Sequence, residues 1–448
     1  MASRRGLKDH PDPTLGFGPE IFAARRARVL GDLGGSALVL RSDTKNSGGR
    51  HQPDRDLFYL AGVCEPGAVA VLRPDGEDGE FVLFVRPRSP DEERWSGERL
   101  GPELAGEVFG ADTTYGNDVL AEHLPRLLAE STDVHFRMGA DSPAQAIVVE
   151  ALRTARLRGP RKGVGPFALV DPGRLLDPLR LVKDSEELSR MRQAATITVE
   201  AFADMMETVR PGVGEWEIEG MLDGAFRQKG ARGTAYPTIV GAGANACVLH
   251  YVDNDCTLRD GDLVLVDAGA DVGLYMSDVT RTFPVSGSFT AAQRAIYDLV
   301  LEAHARAIAG VRPGATIESI HHAARDTLVE GLLTLGVLEG DPAGVIENEA
   351  YKPFFPHQTS HWLGLDVHDV GDYAASGVSR VLEPGMVLTV EPGLYFPDEV
   401  EGSGVEEYVG IGIRIEDDVA VTLNGHEVLT AGLPTSGDEI EALMRGSG

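Results

Sequence analysis

Cysteine is almost missing from this chain: Cys64, Cys247 and Cys256 are the only three in 448 residues, an odd number without CxxC spacing. That fits a reducing cytoplasm better than a disulfide framework. Basic residues are also in deficit, 41 Lys and Arg against 70 Asp and Glu, for a formal charge of −29. A surface of that sign repels nucleic acid and anionic membranes and suits a site that gathers divalent cations. Long apolar runs are absent as well. No stretch approaches the roughly 18 residues of a membrane span, and the opening MASRRGLKDHPDP is basic without an apolar stretch behind it. What remains is ordinary globular composition, 42% hydrophobic and 25% charged, in a chain long enough for two or three domains.

Residues 1–20 are polar, with Pro and Gly, and read as an arm. Residues 21–175 alternate strand and helix signals, with strands expected at Ser36–Leu40, Ala68–Leu72 and Phe81–Val85 and a helix at Val119–Leu128. This is a mixed α/β domain with parallel-compatible strands. The Pro, Gly and Arg enrichment between about Leu157 and Pro178 marks a linker. Residues 176–448 form a second domain. Asp184, with Glu187 three residues on, opens a helix as a capping box. Leu188, Met191, Ala195, Phe202, Met205 and Val209 form its apolar face, and the next helix carries Ile218, Met221, Leu222 and Phe226. Both a Val-Arg-Pro-Gly turn and its flanking helices recur at Val311–Gly314, followed by Ile320, Ala323, Ala324 and Leu328. The repeat implies two αβ halves related by a pseudo-twofold axis, their strands side by side in one curved antiparallel sheet around an acidic cleft. Val387–Val390, Gly410–Ile415 and Val419–Thr422 are the strands expected in the second half.

The chemistry centres on DGDLVLVDAGADVGLYMSDVTRTFP. Two β-favouring runs joined by a Gly-rich turn predict a hairpin on which Asp267 and Asp278 face each other. Such a pair needs a shared proton, an Arg or a hard cation. Glu391 and Glu416 each punctuate a buried-looking strand, which calls for a partner, and His361 stands beside a turn. Alternation places Arg414 on the face of Glu416. Four carboxylates balance two divalent cations, with one imidazole and a bridging hydroxide completing the shells. This oxygen-rich set suits Mn²⁺, with Co²⁺ or Fe²⁺ as alternatives. His357 and His361 are four apart, but Gln358 replaces the glutamate a zincin needs and Pro356 opposes a helix. His250, His357 and His368 flank turns near the cleft, whereas His321, His322 and His426 read as ordinary helix or surface residues.

LHYVDND, SDVTRTFPVSG, HWLGLDVHDVG, LEPGMVLTVEPGLY and GIGIRIEDD, with FYLAGVCEPGA and ERWSGERLG nearer the N-terminus, together resemble the proline-specific M24 metallopeptidases, the bacterial aminopeptidase P group above all. The resemblance implies a pita-bread catalytic domain behind a creatinase-like N-terminal domain, α/β in class. It implies a dinuclear Mn²⁺ site with Asp267, Asp278, His361, Glu391 and Glu416 as ligands, Glu391 also serving as base. His368 would steady the tetrahedral intermediate, while His250 and His357 would bind substrate and handle protons. Arg414 and Tyr395 would support the site and Arg180 would lie on the substrate side. Asp56 and Trp95 would reach a neighbouring subunit, so a homodimer or homotetramer is implied. The reaction would be hydrolysis of an N-terminal Xaa-Pro bond in peptides with proline second. The alternatives are a prolidase, restricted to Xaa-Pro dipeptides, and a non-catalytic peptide-binding module. Gln358 and Thr359 depart from the smaller or apolar residues of bacterial relatives, which bears on subsite lining and peptide length.

Overall fold

The computed structural model describes residues 12–42, 51–139, 143–158, 161, 165–398 and 404–445, so residues 1–11 of the expected arm lie outside it. Of the rest of that arm, Phe17 is buried against Phe22 and Phe58, with ring centroids 6.0 and 5.8 Å away. The chain divides into two compact units, Met1–Leu179 and Arg180–Gly448.

In the first unit, β1 (Ala37–Arg41), β2 (Val69–Leu72), β3 (Phe81–Val85), β4 (Thr113–Gly116), β5 (Asp133–His135) and β6 (Ala168–Val170) form one sheet, in the order β4-β3-β2-β1-β5-β6. The sheet is mixed. The β1–β2 and β2–β3 pairs are antiparallel, the latter a hairpin across the short 73–80 connection, and the remaining three pairs are parallel. The helix Leu120–Leu128 buries Leu120, Leu124, Leu127 and Leu128. Part of the expected linker is regular structure: it supplies β6 and the helix Gly173–Leu181, in which Leu176 and Leu179 are buried.

The second unit opens with the helix Ser185–Met206, whose Asp184–Glu187 capping box forms as the sequence predicts. Met191, Ala195, Phe202 and Met205 are buried on it, Leu188 is half-buried, and Val209 is buried beyond its end. The helix Glu215–Gln228 buries Ile218, Leu222 and Phe226 at i, i+4, i+8. Met221 falls off that stripe and is exposed, contrary to expectation. The helices Ala291–Gly310 and Ile317–Thr334 repeat the arrangement, with Ile320, Ala324 and Leu328 buried and Ala323 only half-buried. Each Val-Arg-Pro-Gly turn ends on a glycine at positive φ, 95° at Gly212 and 84° at Gly314, where a side chain would be strained.

The first half supplies β7 (Gly233–Thr234), β8 (Ile239–Ala242), β9 (Leu263–Ala268), β10 (Ala270–Val272), β11 (Tyr275–Met276) and β12 (Val279–Pro284). The second supplies β13 (Ala374–Ala375), β14 (Val378–Ser379), β15 (Val387–Val390), β16 (Gly393–Tyr395), β17 (Gly412–Arg414), β18 (Asp417–Thr422) and β19 (Gly425–Val428). The strands are antiparallel but not one continuous sheet. They form small sheets, β11-β10-β7, β12-β9-β8, β15-β18-β19 and β16-β17, beside the β13-β14 pair. Between β12 and β17 the Thr282 hydroxyl takes the place of a ladder rung. It accepts the Arg414 N–H at 3.2 Å and donates to the Arg414 carbonyl at 3.1 Å.

The central hairpin differs from expectation in register. Asp267 pairs with Thr280 and Ala268 with Val279, so Asp278 lies diagonal to Asp267. The Gly-rich stretch between them is itself a hairpin, β10–β11, turning at Gly273 and Leu274 with φ of 61° and 73°. Two successive positive φ values match a tight two-residue turn.

Candidate metal centre

Five strand termini and loops deliver the expected ligands to one place. Asp267 is the penultimate residue of β9, Asp278 precedes β12, Glu391 follows β15, and Glu416 sits between β17 and β18. Donor atoms of Asp278, His361 and Glu416 lie within 4.8 Å of one another. His361 Nε2 is 3.3 Å from Asp278 Oδ2 and 3.6 Å from Glu391 Oε1. Asp267 is tied in by Tyr236, whose hydroxyl contacts Asp267 Oδ1 at 2.5 Å and also Asp278 Oδ1. Other donors orient the cluster: Thr280 Oγ1 to Glu416 Oε2 at 2.6 Å, Thr389 Oγ1 to Glu391 Oε1 at 3.3 Å, and Arg414 Nη2 to Asp267 Oδ2 at 2.6 Å. Thr280 also accepts from Arg414 Nε at 2.9 Å, so Arg414 and Glu416 do share a face.

The electrostatics are those of carboxylates short of positive charge. Burial lifts the Asp267 carboxyl above its ordinary range and Glu416 well above it, with Asp278 adding to both. Burial pushes Glu391 up to about 7, although His361 and Arg414 pull the other way. Burial also works against a charged His361, but Asp278 and Glu391 outweigh it and hold the ring at about 9. His361 Nδ1–H donates to the Trp362 carbonyl at 3.0 Å, which turns Nε2 toward the carboxylates as a ligand nitrogen. Four acceptor-only groups and one imidazole fit hard divalent cations.

A polar relay leads away from the cluster. Arg414 Nη1 donates to the Tyr395 hydroxyl at 3.0 Å, and that hydroxyl lies 2.9 Å from His357 Nε2. His357 Nδ1–H donates to the Gln358 carbonyl at 2.8 Å, so Nε2 accepts from Tyr395. Burial, then Arg414, lowers His357 to about 4, so it stands neutral. The exposed His368 packs at a tilt against His361, with ring centroids 4.2 Å apart, and burial followed by His361 lowers its pKa.

Asp267, Asp278, His361, Glu391 and Glu416 all line a cavity of about 970 Å³ whose wall also includes His250, His357 and His368. Arg180 is not on that wall. It is buried in ion pairs with Asp369 (2.6 Å) and Asp366 (2.7 Å), beneath the His368 loop. In the first unit, Asp56 is buried against Arg137 at 3.2 Å, and Trp95 is 92% exposed. His321, expected to be ordinary, is buried and lines the cavity. Its Nδ1 lies 2.9 Å from Thr359 Oγ1, and Thr359 is fully buried while Gln358 lines the cavity. His322 also lines the wall, and His426 is exposed. Tyr236, Thr280 and Thr389 escaped sequence reading, since a lone hydroxyl carries no pattern until the chain is folded around it. A second trio, Glu215, Asp255 and Cys256, also clusters. There the Glu215 carboxylate is already spent on the N–H groups of Ala242 and Cys256, on Asn245 and on Tyr251.

A carboxylate cluster with one imidazole, lining a peptide-sized cavity in a duplicated αβ unit, defines a metallohydrolase. Sequence comparison narrows the class. The pattern of metallopeptidase family M24 matches residues 189–423, and that of the aminopeptidase P N-terminal domain matches residues 22–135. An Xaa-Pro aminopeptidase of Escherichia coli K12 is 43% identical over 430 residues, covering 94% of this chain and 97% of the relative. The Haemophilus influenzae Xaa-Pro aminopeptidase is 38% identical, covering 95% and 97%. Among solved structures, a Pseudomonas aeruginosa aminopeptidase superposes with a TM-score of 0.90 at 41% identity, covering 96% of this chain and 98% of that one. Zinc-substituted E. coli aminopeptidase P in complex with product gives 0.90 at 42%, covering 96% and 99%. The chain belongs to metallopeptidase family M24, with its pita-bread domain preceded by an aminopeptidase P N-terminal domain.

Proposed function

We propose that this chain is an Xaa-Pro aminopeptidase, hydrolysing the bond between an N-terminal residue and a following proline. The convergence of Asp267, Asp278, His361, Glu391 and Glu416 on a cavity of about 970 Å³ carries the reading, and the Xaa-Pro aminopeptidases among its relatives support it. Those five residues would hold two divalent cations, Mn²⁺ by ligand chemistry with Co²⁺ as an alternative. When bound, such ions lower the pKa of a water molecule and polarise the carbonyl under attack.

The protein's own groups supply the rest. Glu391, beside the water that the ions would hold, is assigned the role of base that takes and returns its proton. His368 faces the cavity beside His361 and is assigned to the oxygen of the attacked carbonyl. His357, neutral and fixed by Tyr395 and Arg414, receives the departing proline nitrogen's side of the substrate, and His250 borders the substrate path. Arg180 and Lys183 clamp Asp369 and so brace the loop that carries His368. The exposed indole of Trp95 suits a contact in a homodimer or homotetramer. Three free cysteines fit a cytoplasmic location.

The test is a paired assay on metal-stripped protein with Mn²⁺ restored, comparing an Xaa-Pro-Pro tripeptide with an Xaa-Pro dipeptide. Faster cleavage of the tripeptide is expected. Cleavage of the dipeptide alone would make the enzyme a prolidase, and no Mn²⁺-dependent cleavage of either would reduce it to a binding module.

A further inference from the structure

His321 stands outside the catalytic relay, yet it is built into the cavity wall. The ring is 9% exposed, lines the cavity and packs on Phe355, with centroids 5.5 Å apart. Its Nδ1 meets Thr359 Oγ1 at 2.9 Å. Among the described residues neither that hydroxyl nor His321 Nε2 has another hydrogen-bond partner.

This geometry fixes the tautomer. If Nδ1–H donated to Thr359, the buried hydroxyl proton would be left without an acceptor, which is costly. The hydroxyl therefore donates to Nδ1, and the imidazole proton resides on Nε2, the remaining nitrogen, at the cavity wall. Burial, reinforced by Arg325 and His322, lowers the ring's pKa to about 4, so it is a neutral donor at working pH.

Its position identifies what it meets. Phe355 stands between His321 and His357, 5.5 Å from one ring and 5.1 Å from the other, and His357 Nδ1 is 3.8 Å from Glu391. An extended peptide covers roughly 3.3–3.6 Å per residue, so His321 lies about two to three residues from the attacked carbonyl. An enzyme that removes one N-terminal residue has only that residue upstream, so the chain reaching His321 is downstream of the proline.

Resting on the Xaa-Pro aminopeptidase reading, we propose that His321, locked by Thr359, donates a hydrogen bond from Nε2 to a backbone carbonyl of the peptide beyond the proline, and so selects longer substrates. Thr359 is then part of a length-sensing device: an apolar side chain there would not fix the ring.

The test compares kcat and KM for an Xaa-Pro-Ala-Ala tetrapeptide and a short Xaa-Pro amide. The variants are His321→Leu and the double variant His321→Leu with Thr359→Val, which removes both hydrogen-bonding partners together and so leaves no orphaned hydroxyl. The expected result in both is a fall of about five- to tenfold in the tetrapeptide-to-amide ratio of kcat/KM, expressed in KM, with melting temperature and metal content following wild type in the double variant. An unchanged ratio, or equal losses on both substrates, would overturn the proposal. Failure of the wild type to cleave either substrate would instead strike the aminopeptidase reading itself, and the proposal with it.

Discussion

Two sets of buried acids lie side by side in the second unit and behave in opposite ways. Asp267, Glu391 and Glu416 have their carboxyls pushed up, above all by burial. Asp417, the residue after Glu416, is equally buried yet is held down at about 2. Arg281 at 2.8 Å and His304 at 3.2 Å outweigh its desolvation. Asp369 is likewise lowered, between Lys183 and Arg180. Asp267 and Asp417 are the like-for-like pair, both buried aspartates, so the difference between them is counter-charge. An acid that arrives with its cation is architecture, whereas acids gathered around one arginine await a cation from solution. Asp418 is a third case: it is raised by burial, yet accepts from Ser277 Oγ at 2.7 Å and from the Asp278 N–H at 3.1 Å, tying one half's ligand to the other half's strand.

The comparison breaks most sharply at Asp278. Asp278→Asn removes a ligand and one of the crowded charges, so turnover should vanish while the metal-free protein melts no lower than wild type. Residual activity at the wild-type level would refute the two-metal reading. At Asp369 the outcome reverses. Asp369→Ala leaves the Lys183 ammonium buried without its carboxylate, and unfolding in urea should show a loss of about 3–5 kcal/mol. A neutral result there would mean that the pair is more hydrated than its 1% side-chain exposures indicate.

A smaller effect is expected at Tyr236, whose one hydroxyl proton serves two carboxylates. Tyr236→Phe keeps the ring and should weaken metal binding about 10- to 100-fold, the usual range for groups that orient ligands. Competition with a fluorescent chelator would measure it, and unchanged affinity would reduce Tyr236 to packing.

The parts that were legible in sequence and the parts that were not divide along the same physical line. Strand ends were readable because an acid after Val387–Val390 interrupts an apolar run, and helix starts were readable because Asp184 and Glu187 cap locally. Register was not. Asp267 was expected opposite Asp278, but a second tight turn at Gly273 and Leu274 takes up the intervening residues and moves the partner to Thr280. Nor was the break between β12 and β17, where the Thr282 hydroxyl bonds the Arg414 backbone across 132 positions of sequence. His321 looked ordinary for the same reason: its partner, Thr359, is 38 positions away. Arg180 carried a motif position but no sign of the two aspartates that would claim it.

The gentlest probe is pH, and it separates the two acid sets without a mutation. His361 is raised to about 9 from an ordinary 6.5, and Glu391 to about 7 from 4.5. The metal-free folded protein therefore binds more protons than the unfolded chain between pH 7 and 9. Stability from His361 is complete below about 6.5 and drains away as pH rises through 9. Asp417 contributes no slope in that window, because a carboxyl held at about 2 gives stability that is lost only in strong acid. The histidines lowered to about 4, His321 and His357, are neutral in both states there. The metal-stripped protein should thus melt a few degrees lower at pH 9 than at pH 7. Mn²⁺, which requires the same groups deprotonated, should flatten that slope and release protons on binding. Equal slopes with and without metal would place the titrating groups outside the cluster.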